Sequence, residues 1–126
     1  MTKLLAVGLG GLCGAIARYG LSGWVHRWYA GPFPLGTLLV NLLGCLSIGV
    51  LMALLERGHG IGPHARLFLG VGLLGAFTTF STFGYETVEL MRERAWELAL
   101  YNAAGSVVLG LLAVLLGGAA VRALLG

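Results

Sequence analysis

The sequence predicts an all-α integral membrane protein of four spanning helices, and three observations carry that prediction. Hydrophobic residues make up 58% of the 126 and charged residues only 10%, against about 45–50% and about 25% in a soluble domain. A helix needs roughly 20 apolar residues to cross a hydrocarbon core of about 30 Å, so a chain of this length holds four spans with short connections. Charge, glycine and proline then interrupt the apolar sequence at three places. The result is one four-helix transmembrane domain over residues 1–126, with no tract polar or repetitive enough to form a second domain or a disordered tail.

The first span runs from about Leu4 to the region of Leu21, with a tail to Trp28, and ends at the turn Ala30-Gly31-Pro32-Phe33-Pro34. Lys3 followed by an apolar run resembles a secretory signal. The bulky Leu12 before Cys13, and the apolar run beyond it, instead mark a mature first helix. Ala6, Gly10 and Gly14 recur every fourth residue and form a smooth face for another backbone, with Arg18 at the next step. The second span covers Leu35 to Leu55 and stops at Glu56-Arg57-Gly58, before a loop from His59 to His64. The third starts near Arg66, reaches about Val88 and is followed by the charged segment Glu89 to Glu97. Gly70, Gly72 and Gly75 weaken this helix ahead of the β-branched Thr78 and Thr79, which predicts a break near its middle. Such a break is tolerated in a membrane only when buried in protein or lining an aqueous cavity, and its freed carbonyls could hold a cation. The fourth span takes Leu98 to about Leu125, with a second small-residue strip at Gly110, Ala113 and Gly117. Cys13 and Cys45 fall inside spans, where a small apolar packing role is expected of them.

Charge placement bears on orientation. Lys3, Arg57, Arg66 and Arg122 fall on one side of the membrane, and Arg27, Arg92 and Arg94 on the other, joined by Arg18 if it reaches that way. So even a distribution gives almost no positive-inside bias. It predicts insertion in both orientations and an antiparallel, dual-topology homodimer. A single orientation set by Lys3 or by a partner is the competing reading.

The polar residues inside the spans point to function. Gly75 to Glu86, GAFTTFSTFGYE, places four hydroxyl residues and three phenylalanines in a membrane segment. Unpaired polar groups are costly in hydrocarbon, so this implies a partner helix or a path for something polar. Phe77, Phe80 and Phe83 recur every third residue and are expected on neighbouring parts of one helical face, with Ser81 and Thr82 beside them. Core packing is the plainer reading of such a stripe, but an aromatic ring edge is electropositive and suits an anion. Asn41, one turn after Thr37, is either glue between helices or part of a site. Tyr101, Asn102 and Ser106 offer further donors, and Ser47 reads as a small interface residue.

Three segments in order, Gly10-Gly11-Leu12-Cys13-Gly14-Ala15-Ile16-Ala17-Arg18-Tyr19, Gly36-Thr37-Leu38-Leu39-Val40-Asn41-Leu42-Leu43-Gly44 and Thr78-Thr79-Phe80-Ser81-Thr82-Phe83 with Glu86, resemble the Fluc (CrcB) fluoride channel family. The resemblance implies a dual-topology homodimer in the cell (inner) membrane, with two antiparallel fluoride pores that export fluoride passively. It implies that Phe80 and Phe83 turn ring edges toward fluoride, that Asn41 supplies amide donors, and that Thr37, Ser81 and Thr82 add hydroxyls along the track. It further implies a structural sodium ion at the dimer interface, held by the carbonyls of Gly75 and Thr78. Arg18 would stand near a vestibule and Glu86 near a pore entrance. The family's fourth helix carries a tyrosine followed by spaced serines. Here Tyr101 is present, but Gly105 stands four residues on, with Ser106 beside it.

Other classes fit less well. A small multidrug-type transporter needs a carboxylate embedded in the membrane to relay protons, and the first helix and most of the third have none. A structural subunit of a larger membrane complex would account for the helix faces and leave the stripe from Thr78 to Phe83 without a purpose. Enzyme chemistry is not expected: the chain has no Asp, and His26, His59 and His64 are placed in loops without carboxylates at metal-ligand spacing. No basic patch supports nucleic-acid binding.

Overall fold

The computed structural model describes residues 2–58 and 60–125. Its four helical spans are Thr2–Trp28, Leu35–Glu56, Pro63–Arg92 and Trp96–Leu125, each long and apolar enough to cross a membrane. The chain is a multi-pass membrane protein. Helix α1 is Thr2–Trp28 and α2 is Leu35–Glu56. The third span consists of α3 (Pro63–Arg66), a π-helical segment (Leu67–Leu74), α4 (Gly75–Phe77) and α5 (Phe80–Arg92), and α6 is Trp96–Leu125. Alternating direction brings the start of α1, the end of α2, the start of the third span and the end of α6 to one side. There Arg57 donates to the Leu125 carbonyl at 2.6 Å, and His64 Nε2 lies 3.2 Å from Thr2 Oγ1.

Packing divides the molecule into two closely associated pairs, α2 with α6 and α1 with the π-helical segment. Both depend on glycine, because lipid tails are as apolar as leucine and helices associate in lipid largely through close backbone contact. A Cβ on Gly10 would run into the Phe68 carbonyl and one on Gly14 into that of Leu73, so the face built by Ala6, Gly10 and Gly14 seats the third span. Gly49 meets the Val114 carbonyl and Gly117 that of Leu46, which closes α6 on α2. The buried apolar side chains are few, among them Val40, Leu51, Leu74 and Val121, and the outward leucines form the surface expected against lipid.

The third span departs from the sequence expectations in several ways. It begins at Pro63, in the first turn where a missing N–H costs nothing, and continues to Arg92. A helix broken at mid-membrane was expected. The axis in fact bends by only 15°, while Thr78 (φ −79°, ψ 157°) and Thr79 (φ −149°, ψ 115°) leave helical geometry. Those two extended residues separate Phe77 from Phe80 and Phe83, so the three rings do not form one continuous helical stripe: that pattern assumes an unbroken helix. Two histidines assigned to loops are helical, His26 in the last turn of α1 and His64 in α3. His59 lies outside the described residues. Arg94 (φ 59°) takes the left-handed conformation that turns the chain from α5 into α6.

Candidate functional site

The site is built on the two extended residues. In a continuous helix the Thr79 N–H would go to the Gly75 carbonyl, four residues back. Here it goes to Asn41 Oδ1 of α2 at 2.9 Å, and Asn41 Nδ2 donates in return to the Thr79 carbonyl at 3.1 Å. One side-chain amide thus satisfies both backbone groups of Thr79, as a neighbouring strand would. The Thr79 side chain then caps α5: its Oγ1 accepts the Thr82 N–H at 3.2 Å and donates to Thr82 Oγ1 at 2.9 Å. Thr78 Oγ1 turns back to the Leu74 carbonyl at 3.0 Å.

The first turn of α5 carries the aromatic pair. The rings of Phe80 and Phe83 have centroids 5.5 Å apart, with planes tilted by 43°, within the range where aromatic pairs attract. Phe83 is half-buried, whereas Phe80 is 84% exposed on the single chain. Ser81 and Thr82, between them in sequence, are exposed. Phe80 borders an open hollow of about 370 Å³ lined also by Asn41, Gly44, Gly75, Thr78 and Thr79.

A second polar contact lies further along α5. Thr37 Oγ1 donates to Glu86 Oε1 at 2.8 Å, tying α2 to α5. Both residues line a larger hollow, about 760 Å³, between the end of α1, the turn at residues 29–34, the start of α2 and the glutamate face of α5. Thr37 and Glu86, expected in the pathway and at its entrance, are direct partners.

The family model described as CrcB-like protein, Camphor Resistance (CrcB), matches residues 5–118. The chain belongs to the CrcB family. A relative from Chloroflexus aurantiacus called Fluoride-specific ion channel FluC is 45% identical over 117 residues, 93% of each chain. A relative of the same name from Nitratidesulfovibrio vulgaris is 47% identical over 117 residues, covering 93% of this chain and 94% of its own. A third, from Maridesulfovibrio salexigens, is 39% identical over 125 residues, 99% of this chain and 98% of its own. The likeness therefore extends through all four spans.

In this CrcB-family chain the residues singled out from sequence fall into groups. Asn41, Gly75, Thr78, Phe80, Ser81, Thr82 and Phe83 gather at the interruption, and Thr37 and Glu86 pair beside the larger hollow. Tyr101, 61% exposed, and Ser106 lie on α6, and half-buried Arg18 lies on α1, none of them lining either hollow. Among the described residues, Ser106 Oγ, Glu86 Oε2 and Asn102 Oδ1 are buried without a hydrogen-bond partner. Sequence reasoning missed one contact: Asn102 Nδ2 donates to Thr87 Oγ1 at 2.8 Å, and Thr87 Oγ1 donates to the Phe83 carbonyl at 2.7 Å. An asparagine beside Tyr101 was a visible signal. Its partner across the turn at Arg94 was not.

Proposed function

We propose that this chain is a fluoride-selective ion channel through which cytoplasmic fluoride leaves the cell passively, by two antiparallel pores of an inverted homodimer in the cell (inner) membrane. The observation that carries the reading is the pair of Phe80 and Phe83 at the start of α5, one ring largely exposed, beside the exposed residues Ser81 and Thr82. Fluoride is small and strongly hydrated, so a pore must replace its water with close donors and still release it. Ring edges, hydroxyls and amide protons do this without a fixed positive charge that would trap the ion. Asn41 has two amide protons and gives one to Thr79, which leaves one for the anion. Tyr101 and Ser106 extend the hydroxyl track, and Thr37, whose hydroxyl proton goes to Glu86, belongs with Glu86 and Arg18 to its approaches.

The even charge distribution supports the inverted dimer, and a second copy would cover the exposed Phe80 and the hollow beside it. That hollow also suits a structural sodium ion. The Gly75 carbonyl has lost its helical donor to Asn41, and Gly75 and Thr78 line the same hollow. Neutral oxygens are fitting ligands for a hard monovalent cation. Carbonyls of Gly75 and Thr78 from both copies would hold the ion, whose charge would lower the cost of an anion in low dielectric.

The test is efflux from liposomes loaded with fluoride or chloride. Rapid fluoride loss without chloride loss is expected; no fluoride loss from an assembled protein overturns the reading. Orientation is tested by a cysteine at Gly60 in a chain lacking Cys13 and Cys45, expected to label from both sides of the membrane; one-sided labelling removes the inverted dimer.

A further inference from the structure

We propose that Asn102 is a positioning residue for Phe83: through the Thr87 hydroxyl it sets the rotation of α5 against α6 and so the direction of the ring. The proposal rests on the fluoride pathway described above, in which Phe83 faces the ion. Thr87 follows Phe83 by one helical turn on the same side of α5, and its hydroxyl gives its single proton to the Phe83 carbonyl at 2.7 Å. Whatever approaches that oxygen from α6 must therefore be a donor. The Asn102 amide is one, at 2.8 Å, and the contact is sealed: Asn102 is 1% exposed and Thr87 7%.

The surrounding backbone explains why α5 needs such an anchor. Thr78 and Thr79 are extended, so the ladder of helical bonds that would fix α5 in phase with the preceding helix is interrupted. Asn41 of α2 grips Thr79 just before the rings, and Asn102 of α6 grips Thr87 just after them. Phe80 and Phe83 thus lie between two asparagine anchors on different helices. The first was legible as a site residue; the second acts through a backbone carbonyl and touches no pathway group itself.

Thr87→Val, Thr87→Ser and Asn102→Leu are compared with the unmodified chain in liposome fluoride efflux, with assembly checked by gel filtration. Valine keeps threonine's shape without the hydroxyl, and serine keeps the hydroxyl without the methyl, so a packing role and a relay predict opposite orders. Thr87→Val is expected to slow efflux about tenfold and Thr87→Ser by less than about twofold. Thr87→Val combined with Asn102→Leu is expected to be no slower than the slower single variant, because the relay acts as one unit. Serine slower than valine, or valine at the unmodified rate, overturns the proposal. Should Asn102→Leu fail to assemble, the two Thr87 variants decide. Para-fluorophenylalanine in place of Phe83 reads the ring independently of flux: its fluorine resonance should move in Thr87→Val and stay in Thr87→Ser. An unmodified chain that passes no fluoride while the resonance moves defeats the channel reading and upholds the positioning. A conducting chain whose resonance does not move defeats the positioning alone.

Discussion

The two halves of the third span are held by opposite means. Leu67–Leu74 lies against α1 with backbone nearly touching backbone: Gly72 meets the Val7 carbonyl and the Gly10 Cα, while Gly10 and Gly14 meet the carbonyls of Phe68 and Leu73. Phe80–Arg92 and its cap Thr79 are held by side-chain hydrogen bonds from their neighbours, with Asn41 on Thr79, Thr37 on Glu86 and Asn102 on Thr87. Close backbone contact is strong but intolerant of volume. Polar anchors leave room beside the helix, and that room is where the exposed Phe80 ring and the larger hollow lie. The smaller hollow instead runs along Gly70, Leu74 and Gly75 on the side facing α2 and reaches α5 only at Phe80. The first half provides a footing, and the second keeps a polar surface open.

If that division is right, substitutions should act differently on the two sides of Thr78. The largest effect is expected of Gly14→Val, whose side chain would overlap the Leu73 carbonyl: it should yield no monodisperse protein, having lost about 3 kcal/mol or more. Phe80→Ile should assemble normally and lose fluoride efflux; unchanged efflux would remove Phe80 from the pathway. Asn41→Leu leaves both backbone groups of Thr79 without their partner, costing about 1–3 kcal/mol per buried group. It should lower the thermal midpoint in detergent and slow efflux together, and loss of efflux at an unchanged midpoint would mean that the amide serves the ion alone. Gly84→Ala, in α5 where an added Cβ would meet open space, should be the mildest. It should stabilise by about 0.5–1 kcal/mol through helix propensity, and marked destabilisation there would mean that the second half is packed as tightly as the first.

Much of this was legible because the signals are local. Hydropathy and the residues from Ala30 to Pro34 and Glu56 to Gly58 marked the spans, and the spacing of Gly10 and Gly14 marked a contact face that the structure places against the third span. The π-helical turn was not legible: Gly70 and Gly72 permit it, but whether bonds run to the fifth residue depends on how α1 presses against it. Phe77 was misplaced for a related reason. A face drawn on an ideal helix cannot show where the chain leaves the helix when an asparagine on α2 offers the backbone of Thr79 other partners. The contact between Asn102 and Thr87 depends on the turn at Arg94, which no periodicity encodes.

The embrace of Thr79 by Asn41 also has a mechanical consequence. A span that leaves helical geometry at mid-membrane invites the picture of a hinge about which one half swings. Here both backbone groups of the central residue are already bonded to a rigid neighbour, and the axis bends by only 15°. Such a joint is expected to act as a splice between α4 and α5. The Thr79 amide should then exchange its proton with deuterated water as slowly as amides inside α2, and any opening and closing of the pathway should come from side chains moving on a still backbone.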